Sequence, residues 1–215
     1  TLALQGRSNA LLDRGDALAA KADLDRALHL LPDNTAFLVH RSIALQELGE
    51  FESAARDLDR AIALDASSPL AWLARGNLRQ AQGDWQGAVS DYDRALALQP
   101  RQAATWYNRG NARFRAGQLA AALADYERAL ALEPRHAAAH HNAAIVRHEL
   151  GDAQGALAGF SRAIAADPGL AAAWLDRDHL RLELGQTDEA CEDLRRAAEL
   201  GAPAARESLE ESCSQ

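Results

Sequence analysis

Residues 103–136, AATWYNRGNARFRAGQLAAALADYERALALEPRH, decide the fold. Apolar residues fall at helical spacing in two runs, about 103–116 and 119–132. Gly117 lies between them, where a helix end favours a residue that tolerates positive φ. Pro134 follows the second run, where a helix cannot continue. The stretch reads as helix, tight turn, helix, short loop.

The pattern recurs with a period of 34 residues. Gly15, Gly49, Gly83, Gly117, Gly151 and Gly185 form one column, and Ala20, Ala54, Ala88, Ala122, Ala156 and Ala190 a second. Ala27, Ala61, Ala95, Ala129, Ala163 and Ala197 form a third, each preceded by arginine. The period divides residues 1–204 into six repeats (1–34, 35–68, 69–102, 103–136, 137–170, 171–204) and leaves 205–215 as a capping helix or tail. Repetition at this period predicts an all-α solenoid, an architecture that usually holds other molecules. Alanine at positions twenty and twenty-seven lets paired helices touch backbone to backbone; a larger side chain there would overpack by roughly 1–3 kcal/mol.

The 215 residues carry a net charge of -8, which argues against nucleic acid and anionic membrane surfaces as partners. No stretch approaches ~18 uninterrupted apolar residues, so no membrane span is expected. Two cysteines do not make a disulfide framework. No targeting segment is visible, and Thr1 looks like a processed or trimmed end. The compartment stays open, with the cytoplasm favoured over a bacterial periplasm. The Ala, Arg and Leu usage suggests a bacterial source.

The repeats resemble the tetratricopeptide repeat over nearly the whole chain. Trp72, Trp106 and Trp174 take the family's tryptophan place, with Leu4, Leu38 and His140 elsewhere. Gly76 and Gly110 take its first-helix glycine place. Tyr92, Tyr126 and Phe160 take the second-helix aromatic place, and Pro32, Pro100, Pro134 and Pro168 close four repeats. Two departures stand out. The leucine before the glycine is arginine in five repeats, and the first-helix tyrosine is Arg79, Arg113, Arg147 and Arg181 in the last four. The resemblance implies a right-handed superhelix of six helical hairpins, with the first helix of each lining a concave wall.

Arginine at repeat position seven needs a partner on a packed helix face. Position twenty-three supplies one, giving the pairs Arg7–Asp23, Arg41–Asp57, Arg75–Asp91, Arg109–Asp125 and Arg177–Asp193. The fifth repeat lacks both members, with Ala143 and Gly159 in their places. Pairing within a repeat therefore has no exception, whereas pairing to the next repeat fails twice. Arginines at position eleven are a rival, but Arg147 persists where the aspartate is gone. The inferred bridge is structural and fixes helix register.

Positions two, five, six, nine, twelve and thirteen of the first helix share one face. In the middle repeats that face carries Asn77, Gln80, Tyr107, Asn108, Asn111, Phe114, Arg115, His141, Asn142 and His148. An asparagine amide both donates and accepts, and an extended peptide offers unpaired N–H and C=O groups. Asn77, Asn108, Asn111 and Asn142 form a ladder resembling the one in the repeat domain of O-linked N-acetylglucosamine transferases, which implies a grip on peptide backbone. The lysine and arginine clamp of chaperone-binding relatives is missing; Leu73, Ala138 and Asn142 hold those places. With Asp13, Glu47, Glu149 and Glu183 also on the wall, a neutral-to-basic ligand is expected.

His136, His140, His141 and His148 lie close in sequence, but no fitting third ligand is evident, so neither metal nor cofactor is expected. No catalytic motif appears, and nothing conspicuous breaks the period as a catalytic residue should. The sequence is read as a non-catalytic module binding a protein or peptide. Two other readings stay open: self-assembly into a homo-oligomer through end repeats, which Leu2, Leu4 and Leu12 would suit, and a regulatory domain of a longer enzyme.

Residues 202–215 are expected to form the capping helix, because the last repeat otherwise exposes its apolar face. Ala205, Leu209 and Cys213 make one stripe, and folding back from Gly201 sets Cys213 level with Cys191. Neighbouring cysteines are expected, with free thiols favoured over a disulfide because an intracellular protein keeps them reduced.

Overall fold

The structure, a computed structural model, describes residues 2–213, without the side chains of 2–5, 9, 13, 206, 207 and 210–212. Leu2, Leu4 and Asp13, invoked above for end-to-end stacking and for the wall, have side chains outside the described residues. The described residues form helices and no strand: α1 (Leu2–Asp13), α2 (Ala17–Leu30), α3 (Thr35–Glu47), α4 (Phe51–Leu64), α5 (Pro69–Ala81), α6 (Trp85–Leu98), α7 (Ala103–Arg115), α8 (Leu119–Leu132), α9 (Ala137–Glu149), α10 (Ala153–Ala166), α11 (Ala171–Glu183), α12 (Thr187–Glu199) and α13 (Pro203–Ser212). The final helix begins two residues before the boundary set by the repeat period, because Pro203 is preorganised for a first helical turn.

Local chemistry sets these boundaries. Asp16, Asn34, Ser68, Asp84 and Asp152 each accept a backbone N–H from the first turn of the following helix. His136 does the same through Nδ1 for α9. At the other end, Gly117 has φ +74°. The N–H of Gln118 reaches the Arg113 carbonyl at 2.9 Å, closing the turn between α7 and α8 in the way a left-handed glycine permits.

The chain divides into two compact units, 1–112 and 113–215, with the boundary inside α7. In the first, α1 pairs with α2, α3 with α4 and α5 with α6, and α2 packs on α3 and α4 on α5. In the second, α9 pairs with α10 and α11 with α12, α8 packs on α9 and α10 on α11, and α13 closes on α12. Within each unit the alanines at positions twenty and twenty-seven are fully buried. So is position twenty-four, filled by Leu24, Leu58, Tyr92, Tyr126, Phe160 and Leu194; each such burial contributes about 1.5–3 kcal/mol. Gly76 is dictated by this column, since a Cβ there would sit 2.6 Å from Cε1 of Tyr92.

The end cap departs from expectation in one respect. Cys191 and Cys213 are neighbours, with Cα atoms 5.8 Å apart, but they are joined as a disulfide rather than standing as free thiols. The bond staples α13 where Ala202, Ala205 and Leu209 already cover Leu194 and Ala197.

Candidate functional site

The arginine at position seven is the first element of the site, because it positions the first helices. Arg41 donates through Nε and Nη2 to the two oxygens of Asp57, both at 2.7 Å, and through Nη1 to Asp25 at 2.8 Å. Arg75 repeats the arrangement with Asp91 at 3.0 and 2.8 Å and with Asp59 at 2.7 Å. Arg7 pairs with Asp23, and Arg109 with Asp93. The Arg7 guanidinium holds the Asp23 carboxyl below the usual carboxylate range. The carboxylates beside Arg41 and Arg75 raise both guanidiniums further above neutrality. One guanidinium thus fastens its own second helix and the second helix of the preceding repeat. Arg79 adds a third donor to Asp91 at 2.7 Å, so position eleven shares the carboxylate with position seven instead of competing for it.

The second unit builds the same joint from other parts. Arg177 forks onto Asp193 at 2.8 and 2.6 Å and reaches back to the Ser161 hydroxyl at 2.9 Å. Arg181 joins the same carboxylate at 2.7 Å, and Arg113 donates to Asp125 at 2.8 Å. In the fifth repeat the backward contact moves one turn along the helix, where Arg147 donates to Glu127 at 2.7 Å. There α9 and α10 close on each other directly: a Cβ on Gly159 would stand 2.8 Å from that of Ala144.

The tryptophans tie the loops to the same frame. Trp72, Trp106 and Trp174 donate from Nε1 to the carbonyls of Ala66, Pro100 and Pro168 at 2.9–3.0 Å. His140 substitutes for them, with Nε2 2.9 Å from the Pro134 carbonyl. Arg75, Arg109 and Arg177 also lie over the faces of these tryptophans, 4.6–5.0 Å from the ring centroids.

The wall face in the first unit carries an amide network. The hydroxyl of Tyr92 donates to Asn77 Oδ1 at 2.8 Å, and Asn108 Nδ2 donates to the same oxygen at 3.1 Å. Asn77 is therefore committed as an acceptor, and no described residue accepts from its Nδ2. Burial pushes the Tyr92 hydroxyl up, which keeps it a donor at neutral pH. Tyr107 and Asn111 lie on α7 beside Asn108 and are half-buried. In the second unit Phe114 is half-buried and Arg115 exposed in the last turn of α7. Nε2 of His141 lies 2.7 Å from Asp176 Oδ2, its Nδ1 lies 3.3 Å from Asn142 Oδ1, and its ring packs on Phe160. Nε2 of His148 lies 2.9 Å from Glu183. A carboxylate only accepts, so both histidines carry a proton on Nε2 in these contacts.

Sequence reasoning missed three features. Position twenty-five reads Asp25, Asp59, Asp93, Glu127 and Ser161, an acceptor in five repeats running, sixteen residues before the next position seven. That spacing equals the one used to pair seven with twenty-three, and it could have found the second bridge. The carboxylates opposite His141 and His148 lie 35 residues on, one repeat plus one, and carried no such periodic signal. Finally, Asp178 breaks a column of Ser8, Ser42, Gly76, Gly110 and Ala144. It is 3% exposed, its Oδ1 has no partner among the described residues, and burial pushes its carboxyl up.

Tetratricopeptide repeat profiles match residues 6–69, 41–103 and 76–147, together spanning 6–147. The chain belongs to the tetratricopeptide repeat family. As a tetratricopeptide repeat protein it is similar in fold to pilF of Pseudomonas aeruginosa, at 17% identity over 97% of this chain and 96% of that one, with a TM-score of 0.85. It is similar to MamA at 22% identity over 77% and 96%, with a TM-score of 0.71. A third similar structure is YrrB, a tetratricopeptide repeat protein with an unusual peptide-binding site, at 21% identity over 87% and 97%, also with a TM-score of 0.71. No curated protein sequence matches the chain significantly. No described helix is long and apolar enough to cross a membrane.

Proposed function

We propose that this tetratricopeptide repeat protein is a non-catalytic interaction scaffold that holds an extended peptide segment against the wall face of its first helices. The observation that carries this reading is the joining of Asn77 and Asn108 across consecutive first helices, with Asn77 Nδ2 left to donate. An amide fixed by two hydrogen bonds is already oriented, so a peptide carbonyl meets it at little cost in side-chain entropy. Asn142, beside His141, is a further asparagine on α9 in the second unit. Arginine and carboxylate groups elsewhere are engaged in joining helices, which supports a scaffold role for them over chemistry.

The test is capture of a partner from the native host by wild-type protein and by the double variant Asn108→Ala with Asn142→Ala. The variant should retain its helical circular dichroism and thermal transition and lose the captured partner. Undiminished capture by the variant would remove the basis of this reading. Each amide contact should be worth about 0.5–1.5 kcal/mol.

A further inference from the structure

Between α3 and α5, on the wall face of the first unit, lies a cavity of about 290 Å³. Ile43 on α3 and Leu70, Leu73 and Ala74 on α5 make its apolar lining, and Gln46, Glu47 and Asn77 its polar lining. The cavity opens on the surface, and its volume admits an aliphatic side chain together with the backbone on either side of it. Leu70 is 43% exposed, an apolar surface left in water at this spot. Glu47 is exposed, and no described residue pairs with it, whereas Asp176 and Glu183 on later first helices lie against histidines. Asn77, itself part of the lining, carries the uncommitted Nδ2 described above.

We infer that this cavity is the specificity pocket of the scaffold and that it takes an extended segment with an aliphatic residue two places from a lysine or arginine. The inference rests on the proposed function and names the partner chemistry of that same face. In an extended chain, residues i and i+2 point the same way about 7 Å apart. One such pair sets an aliphatic side chain among Ile43, Leu70 and Leu73 and a cationic one against Glu47. The carbonyl of the residue near the pocket then accepts from Asn77 Nδ2. The unpaired carboxylate selects against acidic segments, because burying Glu47 under a second carboxylate brings like charges together without a counter-ion.

The test uses three fluorescein-labelled, end-blocked heptapeptides of glycine and serine. One has leucine third and arginine fifth, one has leucine third and glutamate fifth, and one has alanine third and arginine fifth. Anisotropy titration of the wild-type chain should rank the leucine–arginine peptide first, with each of the others about threefold to tenfold weaker. Glu47→Lys, a change at an exposed position, should reverse the order of the arginine and glutamate peptides. Leu70→Gln should abolish the preference for leucine over alanine. Binding that falls with Asn108→Ala but ignores peptide charge, peptide leucine and Glu47→Lys would overturn the pocket and leave the scaffold reading standing. Binding that ignores Asn108→Ala yet follows Glu47→Lys would support the pocket and count against the amide grip. If no peptide binds the wild-type chain at millimolar concentration, the pocket inference is overturned.

Discussion

Arg147 donates to Glu127 at 2.7 Å in the one repeat whose position seven is alanine. The contact preserves the backward bridge of that repeat, but Glu127 is mostly exposed, and an exposed pair contributes at most about 1 kcal/mol. The helices of the fifth repeat are held by the approach of Gly159 to Ala144 instead. Arg147→Ala should therefore cost under about 1 kcal/mol in a urea melt. Gly159→Ala should cost about 1–3 kcal/mol through overpacking, and the reverse ranking would show that charge holds this repeat.

The two carboxylates gripped by Arg75 should differ in weight. Asp91 is 1% exposed and accepts from both Arg75 and Arg79, so Asp91→Ala takes the buried acceptor from two guanidiniums, leaves Arg75 only the exposed Asp59, and should cost about 3 kcal/mol. Asp59 is exposed, and Asp59→Ala should cost no more than about 1 kcal/mol. Adding Arg75→Ala to Asp91→Ala should recover part of the larger loss. Strictly additive losses in the double-mutant cycle would show that the residues are not coupled.

Asp178 gives the chain a pH dependence of defined sign. Burial raises its carboxyl above the unfolded value, so the folded state holds a proton that the unfolded state has released. Between those two values stability falls as pH rises, and above both the cost is fully present. Asp178→Ala, matching Ala144 in the same column, should stabilise the fold at pH 7 by about 1–3 kcal/mol. The gain should shrink as pH falls toward the unfolded carboxyl range. An equal gain at every pH would mean that ionisation of Asp178 is not its cause.

Much of this was legible in the sequence, and the exceptions have physical reasons. Helix ends followed from glycine and proline, and the buried alanine columns followed from the period. Arg75 with Asp91 was legible because both lie in one repeat and vanish together in the fifth. Arg75 with Asp59 was passed over because Asp59 sits on an exposed helix face, where a carboxylate needs no explanation. The bond between Asn77 and Asn108 depends on how consecutive first helices stagger, which no single repeat encodes. Asp178 was overlooked because columns were searched for what they shared.

Reduction supplies a further test. The 191–213 bridge closes a loop whose loss should lower stability by about 3 kcal/mol on chain-entropy grounds. A helix as short as α13 is marginal alone, so Cys213→Ser should raise amide exchange across residues 203–212 first and leave α12 protected. Simultaneous loss of protection in both helices would show that the cap and the last repeat form one cooperative unit.

The double grip of the position-seven arginine also bears on how an array of this kind can change length. Its two acceptors lie sixteen residues away in either direction along the chain. Excision of any 34 consecutive residues between 35 and 102 sets an aspartate at position twenty-five ahead of an arginine at position seven, wherever the cut falls. Duplication of such a segment does the same. Unequal recombination in this part of the gene, or a designer's choice of junction, can add or drop a whole repeat without stranding a charge. Next to Ala143 that freedom ends, because a repeat grafted there meets no arginine at the expected place.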